Sequence, residues 1–210
     1  MSLKTARYGL WASLMAVMVL AWAAPAAVYA QGDAARGAKL AYTCLGCHGI
    51  PDYRNVYPTY HVPKVFGQNA EYLVVALGEY KAGARKHPTM NGQATSLSDA
   101  AIVDIAAFFA GATPLKGNGP TGQPPAIVAT CAACHGPEGV AIMGMYPNLA
   151  GQHADFLESA LHAYKKGTRQ NAIMQGFAGQ LSEADIKAAA AWFSAQSPGV
   201  WTQKANGQKF

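Results

Sequence analysis

The chain carries one five-residue pattern twice, and this repeat limits what the protein can fold around. Two cysteines are separated by two residues and a histidine directly follows the second cysteine, at 44–48 and again at 131–135. This spacing is typical of covalent c-type haem attachment, because the thiols add to the haem vinyl groups and the histidine binds the iron. The pattern predicts two haem groups held by Cys44, Cys47, His48, Cys131, Cys134 and His135.

Four cysteines also allow other chemistry. They can form two disulfides, the two pairs can build one zinc site, or each pair can act as a thioredoxin-like redox centre. None of these alternatives accounts for the histidine after each pair, and the two motifs contain all four cysteines of the chain. Haem attachment is the interpretation that explains the whole pattern.

Residues 1–30 are typical of an export signal. Two basic residues precede 25 uncharged residues, from 8 to 32, and 28–30 forms a small-residue cleavage site. The uncharged stretch is long enough to cross a bilayer as a helix, so an uncleaved anchor with association at the membrane surface is the alternative. Pro25 interrupts the apolar run where a peptidase would act, which favours cleavage after Ala30. We expect the body of the protein in the periplasm.

The charge balance gives little information about partners. The formal charge of +5 comes from 16 basic and 11 acidic residues, and loss of Lys4 and Arg7 with the signal leaves 14 against 11, or +3. The carboxylates of two haems would offset that surplus. Since the chain has no block of like charges, nothing favours nucleic acid as a partner.

An internal repeat defines the domain organisation. Residues 63–110 align without a gap on 147–194, at an offset of 84, and 21 of the 48 positions are identical. The motifs are offset by 87, so the first copy has three additional residues before Pro63. The chain is therefore a tandem duplication. The repeat and a proline- and glycine-rich segment between the copies predict a first domain at 31–113, a linker at 114–121, a second domain at 122–197 and a tail at 198–210.

Both domains are predicted to be all-α. Apolar residues recur at helical spacing over 70–81 and 154–165. Asp33, Ser98 and Ser182 are suitable N-caps for further helices. No stretch alternates cleanly enough between apolar and polar residues to predict a strand.

The second axial ligand of each iron decides the chemistry. An open position permits ligand binding or peroxide chemistry, whereas methionine closes the site and raises the reduction potential. A ligand that serves both haems should recur at offset 84, and Met90 and Met174 do so. Both are predicted to lie in irregular, glycine-containing loops, at 85–97 and 169–181.

Other candidate ligands do not recur between the copies. Met143 and Met145 are predicted to fill gaps in the core, a role that suits a flexible thioether. The histidines outside the motifs are predicted to be surface or hydrogen-bonded side chains: His61, His87, His153 and His162.

These motifs together resemble the two-haem cytochrome c4 family. Three further repeated patterns add to the likeness: Pro-x-x-x-Gly-Gln at 63–68 and 147–152, Lys-x-Gly-x-Arg before each methionine, and Leu-Ser-[Asp/Glu]-Ala before the last helix of each copy. The resemblance covers nearly all of the chain after residue 30. One departure is the tyrosine-rich stretch at 50–61, which is longer than 136–146 in the second copy.

The resemblance implies both structure and function. It implies two class I cytochrome c domains packed face to face by pseudo-twofold symmetry, with close haem edges. It also implies that the carbonyls of Pro63 and Pro147 accept hydrogen bonds from His48 and His135. The implied function is electron transport without catalysis, from a cytochrome bc complex or another periplasmic donor to a haem-copper terminal oxidase.

Basic residues beside the methionine segments allow two interpretations. They can guide docking to acidic redox partners, or they can form an ordinary solvated face. The residues are Lys81, Arg85, Lys86, Lys165, Lys166 and Arg169.

Two rival functions stay open. The protein can be the permanent cytochrome subunit of a dehydrogenase complex, with an exposed Trp201 and Phe210 in its tail serving the interface. It can also be a two-haem enzyme, such as a peroxidase or thiosulfate dehydrogenase. The enzyme requires one open iron site, and the repeated methionine argues against one.

Overall fold

The computed structural model describes residues 32–203, and within this range the regular elements are helices, with only isolated β-bridges beside them. None of these helices is both long and apolar enough to cross a bilayer. The predicted signal at 1–30 and Phe210 lie outside the described residues. The helices are α1 (Ala34–Leu40), α2 (Leu45–His48), α3 (Ala70–Lys81), α4 (Pro88–Thr95), α5 (Asp99–Ala110), α6 (Val128–His135), α7 (Ala154–Lys165), α8 (Ala172–Gln180) and α9 (Glu183–Ala195).

The helices begin where the sequence provides hydrogen-bonding caps. The Asp33 carboxylate accepts from the backbone of the first turn of α1, and Ser98 caps α5. Ser182 and Asp185 form a reciprocal capping box at the start of α9. The predicted all-α fold and the predicted helices 70–81 and 154–165 are confirmed.

Each copy has its own apolar core. In the first copy α5 packs against α1 and α3, around Phe66, Ile105 and Phe109. In the second copy α9 packs against α7, and Val128 of α6 joins Phe193 in the core. The domain boundaries stay a prediction.

An ion pair fastens α1 to α5. Arg36 Nε donates to the buried Asp104 carboxylate over 2.8 Å, and the backbone N–H of Asp33 donates to the same carboxylate over 2.7 Å. The hydrogen bond from Arg36 and then that from Asp33 hold the pKa of Asp104 below its ordinary value.

Two glutamines join the copies through matching contacts. Gln68 Nε2 donates to the Asn148 carbonyl over 2.9 Å, and its Oε1 accepts from the Asn148 N–H over 2.7 Å. Gln152 makes the same two bonds to the backbone of Lys64, over 2.8 and 3.0 Å. Both pairs of residues are related by the repeat offset of 84. This reciprocity confirms the pseudo-twofold arrangement, and we call these four hydrogen bonds the glutamine clamp.

A second symmetric contact lies at the segments before α4 and α8. Arg85 and Arg169 form an isolated antiparallel bridge. On either side of it the Lys86 N–H donates to the Thr168 carbonyl over 3.3 Å, and the Gln170 N–H donates to the Ala84 carbonyl over 2.9 Å. Because the bridge pairs equivalent residues, the pseudo-twofold axis passes between them.

The tyrosine-rich stretch of the first copy makes an asymmetric contact. Residues 53–62 form a hairpin-like loop closed by two backbone hydrogen bonds. His61 Nδ1 and Arg54 contact the Asp155 carboxylate at 2.8 and 3.2 Å, while the Tyr60 ring packs on Phe156 of α7. The additional length of the first copy therefore ties it to the second.

The C-terminal segment also packs on the first copy, so the predicted exposed Trp201 is wrong. The backbone N–H of Trp201 donates to the Phe66 carbonyl over 3.0 Å, and the two aromatic rings stack with their centres 6.3 Å apart. Upstream, the Val200 N–H donates to the Ala150 carbonyl over 2.8 Å. Trp201 is half-buried because it packs against the apolar core of the first copy.

Removing one glutamine of the clamp tests its contribution to stability. Gln68→Ala leaves the buried backbone N–H and carbonyl of Asn148 without these partners, so we expect it to lower the free energy of unfolding by about 1–3 kcal/mol. Gln152→Ala should match it by symmetry, and the exposed Gln93→Ala is the control. Denaturant unfolding of the holoprotein measures the difference, and equal stability of all three variants would contradict the clamp.

The Arg36–Asp104 pair predicts a dependence of stability on pH. Because the folded-state pKa of Asp104 is lowered, its contribution is fully present above the unfolded value of about 4 and is lost as the pH falls through the folded value. Asp104→Asn should be less stable at neutral pH and lose less stability on acidification. Thermal unfolding across this pH range compares the two proteins, and parallel pH profiles would refute the assignment.

Candidate functional site

The first C-x-x-C-H motif occupies the short helix α2 and the residue before it. Cys44 and Cys47 are half-buried free thiols. His48 Nδ1 lies 2.8 Å from the Pro63 carbonyl, so this nitrogen carries the proton and donates it. Burial lowers the pKa of His48 despite that hydrogen bond, which keeps the ring neutral. A neutral imidazole with Nδ1 engaged leaves Nε2 as the electron-pair donor that a metal needs.

The second motif, at the end of α6, repeats this geometry. Cys131 and Cys134 are half-buried free thiols, and His135 is buried. His135 Nδ1 donates to the Pro147 carbonyl over 3.0 Å, and burial lowers the pKa of His135. Both histidine–proline contacts implied by the resemblance are therefore present.

The thiols do not suit redox catalysis. Burial raises the pKa of Cys44 and of Cys131, whereas redox-active cysteines need a lowered pKa that stabilises the thiolate. Within residues 32–203, no cluster of three or more histidine, cysteine or acidic side chains is arranged to hold a metal ion. Vinyl addition, which needs one accessible thiol at each position, fits the half-buried cysteines.

The two methionines lie on helices, so the predicted irregular loops are wrong. Met90 is in α4 and Met174 is in α8. The side chains of His87 and Asn171 cap these helices by accepting from the N–H of Met90 and of Met174, over 3.4 and 3.0 Å. Both methionines are half-buried and lie at the same position after a side-chain cap, so their surroundings are equivalent. That Met90 binds the same iron as His48, and Met174 the same iron as His135, stays a prediction.

The remaining candidates have mixed outcomes. His87 and His61 are hydrogen-bonded, as predicted, and His61 stacks on His153 at 4.6 Å. Met143 and Met145 were predicted to fill the core, but each is 53% exposed. That prediction is wrong because the segment after the second motif runs over the surface.

Arg85 and Arg169 are buried, so they belong neither to a docking surface nor to a solvated face. Arg85 exposes 7% of its surface to solvent and Arg169 exposes 6%. Their guanidinium groups lie over Tyr80 and Tyr164, at 4.9 and 4.4 Å from the ring centres. The recurrence of arginine at offset 84 was the sequence signal for a shared structural role.

The hydroxyl of Tyr72 connects the two arginines. It accepts from Arg85 Nη2 over 3.3 Å and from Arg169 Nη2 over 2.8 Å, and Glu79 pairs with Arg85 at 2.9 Å. Burial acts to raise the pKa of Tyr72, but Arg169 and Arg85 outweigh it and lower the pKa to about 8.

This arginine cluster leaves hydrogen-bonding capacity for an anion. The Nε atoms of Arg85 and Arg169 are both buried without a hydrogen-bond partner among the described residues. The cluster holds two cations and one carboxylate, that of Glu79. Buried donors without partners are costly, so an anionic group suits this place. Haem c carries carboxylates, and the residues present therefore fit the group that the motifs predict.

The sequence is similar to those of known proteins. A family profile described as cytochrome c oxidase, cbb3-type, subunit III matches residues 126–193. The chain is 36% identical over 181 residues to a cytochrome c4 from Pseudomonas aeruginosa, and the alignment covers 76% of this chain and 87% of that protein. It is also 30% identical over 203 residues to a thiosulfate dehydrogenase electron acceptor from Stutzerimonas stutzeri, and that alignment covers 86% of this chain and 91% of that protein.

The fold comparison agrees with the sequences. The crystal structure of reduced recombinant cytochrome c4 from Pseudomonas stutzeri superposes with a TM-score of 0.62 at 30% identity. The match covers 79% of this chain and all of that one.

Replacing the methionines one at a time tests their predicted role. Met90→Leu and Met174→Leu should each remove about half of the methionine-to-ferric charge-transfer absorption, because each removes the sulfur ligand of one iron. The double variant should remove all of it while both haems stay attached, as mass spectrometry would show. Met143→Leu is the matched control, and an unchanged spectrum in either single variant would exclude that methionine as a ligand.

Proposed function

The chain belongs to the cytochrome c4 family, and we propose that it carries electrons through the periplasm to a haem-copper terminal oxidase. It binds two haem c groups covalently, one at each motif. The observation that supports the carrier role best is the histidine–proline contact, which occurs in the same form at both motifs.

The first copy offers a residue for each role that such a haem needs. When bound, haem c supplies an iron that takes up and releases one electron. Cys44 and Cys47 would hold it through thioethers, and His48 would offer Nε2 to the metal. The Pro63 carbonyl fixes the ring and its tautomer. Met90 would complete the ligand set and would keep the site closed to substrate.

The second site uses the equivalent residues, and the arginine cluster lies between the copies. The residues that would take the same roles there are Cys131, Cys134, His135, Pro147 and Met174. The unpartnered Nε atoms of Arg85 and Arg169 would bind haem carboxylates. Closed, rigid ligation supports electron transfer because little has to rearrange when the charge changes.

A second candidate function is to accept electrons from a dehydrogenase. The alignment with the thiosulfate dehydrogenase electron acceptor of S. stutzeri covers 86% of this chain, against 76% for the P. aeruginosa cytochrome c4. This candidate differs from the first in the donor rather than in the chemistry. An enzyme with its own substrate is disfavoured, because methionine at both irons would leave no open site.

Turnover with purified partners separates these circuits. The reduced holoprotein should be reoxidised by a purified haem-copper oxidase, and the oxidised holoprotein should be reduced by a cytochrome bc complex. Reduction by thiosulfate dehydrogenase with thiosulfate, but not by the bc complex, would favour the second candidate. Thiosulfate or peroxide turnover by the protein alone would reject the carrier function.

A further inference from the structure

The loop at 53–62 ends in a cluster of ionisable side chains at the contact between the copies. The rings of His61 and His153 stack with their centres 4.6 Å apart. One oxygen of the Asp155 carboxylate accepts from His61 Nδ1 over 2.8 Å and from the His61 backbone N–H over 3.1 Å. Arg54 contacts the same oxygen at 3.2 Å. We call this cluster of four residues the histidine latch.

The latch adjoins the hydrogen bond that orients His48. Two residues after His61, the Pro63 carbonyl accepts from His48 Nδ1 over 2.8 Å. The next residue, Lys64, is bound at its backbone N–H and carbonyl by Gln152 of the glutamine clamp. The Pro63 carbonyl is thus fixed from both sides, by the latch before it and by the clamp after it. Release of His61 would leave only the clamp to hold this segment.

A proton on His153 disfavours the closed latch. The residue is the N-cap of α7, where the positive end of the helix dipole repels a cation. Burial, Lys64 and His61 lower the pKa of His153 to about 4. The carboxylates of Asp155 and Asp52 act in the opposite direction without restoring the ordinary pKa of 6.5. Release from the stack would return the ring to water and restore that ordinary value.

Acid therefore favours the open latch. The stability that the neutral, stacked His153 ring contributes is fully present above pH 6.5 and is lost as the pH falls toward 4. From pH 7.5 to pH 5 the proton taken up by the free ring raises the ratio of open to closed latch about 30-fold. A proton on His61 would instead strengthen its bond to Asp155 and repel Arg54. The charge that opens the latch is therefore the one on His153.

The equivalent position of the first copy does not titrate. Asn69, the counterpart of His153, precedes α3, and its side-chain amide donates to the Tyr146 carbonyl over 2.8 Å. Tyr146 directly precedes Pro147, whose carbonyl accepts from His135. The second histidine–proline contact therefore lies beside a neutral amide that acid does not charge.

We propose that the histidine latch positions the Pro63 carbonyl and opens on acidification, which loosens the hydrogen bond from His48 at the first haem site alone. His61, His153 and Asp155 are positioning residues in this device. The inference rests on the proposed binding of iron by His48 and adds a pH dependence to that site. The Nδ1 hydrogen bond strengthens the histidine as a ligand, so its loosening weakens electron donation to the iron and raises the reduction potential of the first haem.

Reduction potentials of the holoprotein at pH 7.5 and pH 5 test this coupling. Spectroelectrochemistry gives both potentials, and the NMR signals of the axial ligands assign each potential to its haem. In the unmodified protein we expect the first-haem potential to rise relative to the second on acidification. H153F keeps a ring that can stack but cannot take a proton, and H153N introduces the residue of the first copy, so both should lose the rise. H162F removes a histidine of α7 outside the latch and should keep it.

Amide hydrogen exchange reports on the latch itself. The backbone N–H groups of His61 and Val62 are hydrogen-bonded in the closed loop. After correction for the intrinsic pH dependence of exchange, their opening should increase about 30-fold from pH 7.5 to pH 5 and should change little in H153F. D155A removes the acceptor of His61, so we expect rapid exchange at both pH values and a raised first-haem potential already at pH 7.5.

Three results would contradict the proposal. An equal rise of the first-haem potential in H153F and in the unmodified protein would overturn the role of the latch. A loop that opens with acid while neither potential moves would reject the coupling to His48. Equal shifts of both potentials would reject the confinement of the effect to the first site.

The latch and the proposed electron-carrier circuit can fail separately. A first-haem potential that depends on His153, in a protein that neither the bc complex reduces nor the oxidase oxidises, would keep the latch and reject the circuit. Turnover with both partners, together with identical first-haem potentials in H153F and the unmodified protein at both pH values, would keep the circuit and reject the latch.

Discussion

The glutamine clamp is the contact on which the arrangement of the two copies depends. Each of the two side-chain amides is bound at both its donor and its acceptor by one backbone segment of the other copy. Gln68, Gln152 and Asn148 are all buried, so water cannot replace a bond that is lost. Sliding one copy against the other would break all four bonds together. The clamp therefore gives the two haem-attachment motifs one fixed relation.

The side chains around Arg85 and Arg169 do not follow the symmetry of the clamp. Both arginines donate to Tyr72, and the equivalent residue of the second copy is Phe156, which has no hydroxyl. The nearby carboxylate belongs to Glu79, and the equivalent residue of the second copy is Ala163. Two further contacts have no symmetric counterpart: the loop at 53–62 of the first copy contacts the second copy, and Trp201 packs on the first copy. The duplication thus produced a symmetric backbone frame with two different sets of side chains around it.

The elements that the sequence predicts correctly are those stabilised by residues close together in the chain. The helices 70–81 and 154–165 and the caps at Asp33 and Ser182 could be predicted, because they depend on residues a few positions apart. The helices α4 and α8 were missed because their glycines lower intrinsic helix propensity. Their formation depends on a capping side chain at 87 or 171 and on packing against α3 or α7.

By itself the sequence determined the attachment chemistry, the duplication and the all-α class, because two thiols, a histidine and a repeated apolar pattern act through neighbours in the chain. Tertiary structure decided which long side chains are buried. We expected Arg85, Arg169 and Trp201 at the surface, but contacts distant in the chain bury them. Arg169 donates to Tyr72, 97 positions away in the other copy, and Trp201 packs on Phe66 of the first copy. Arg85 donates to the same Tyr72 hydroxyl. Whether a guanidinium leaves water depends on the aromatic rings and hydroxyl that meet it, and only the packed pair of copies brings those groups together.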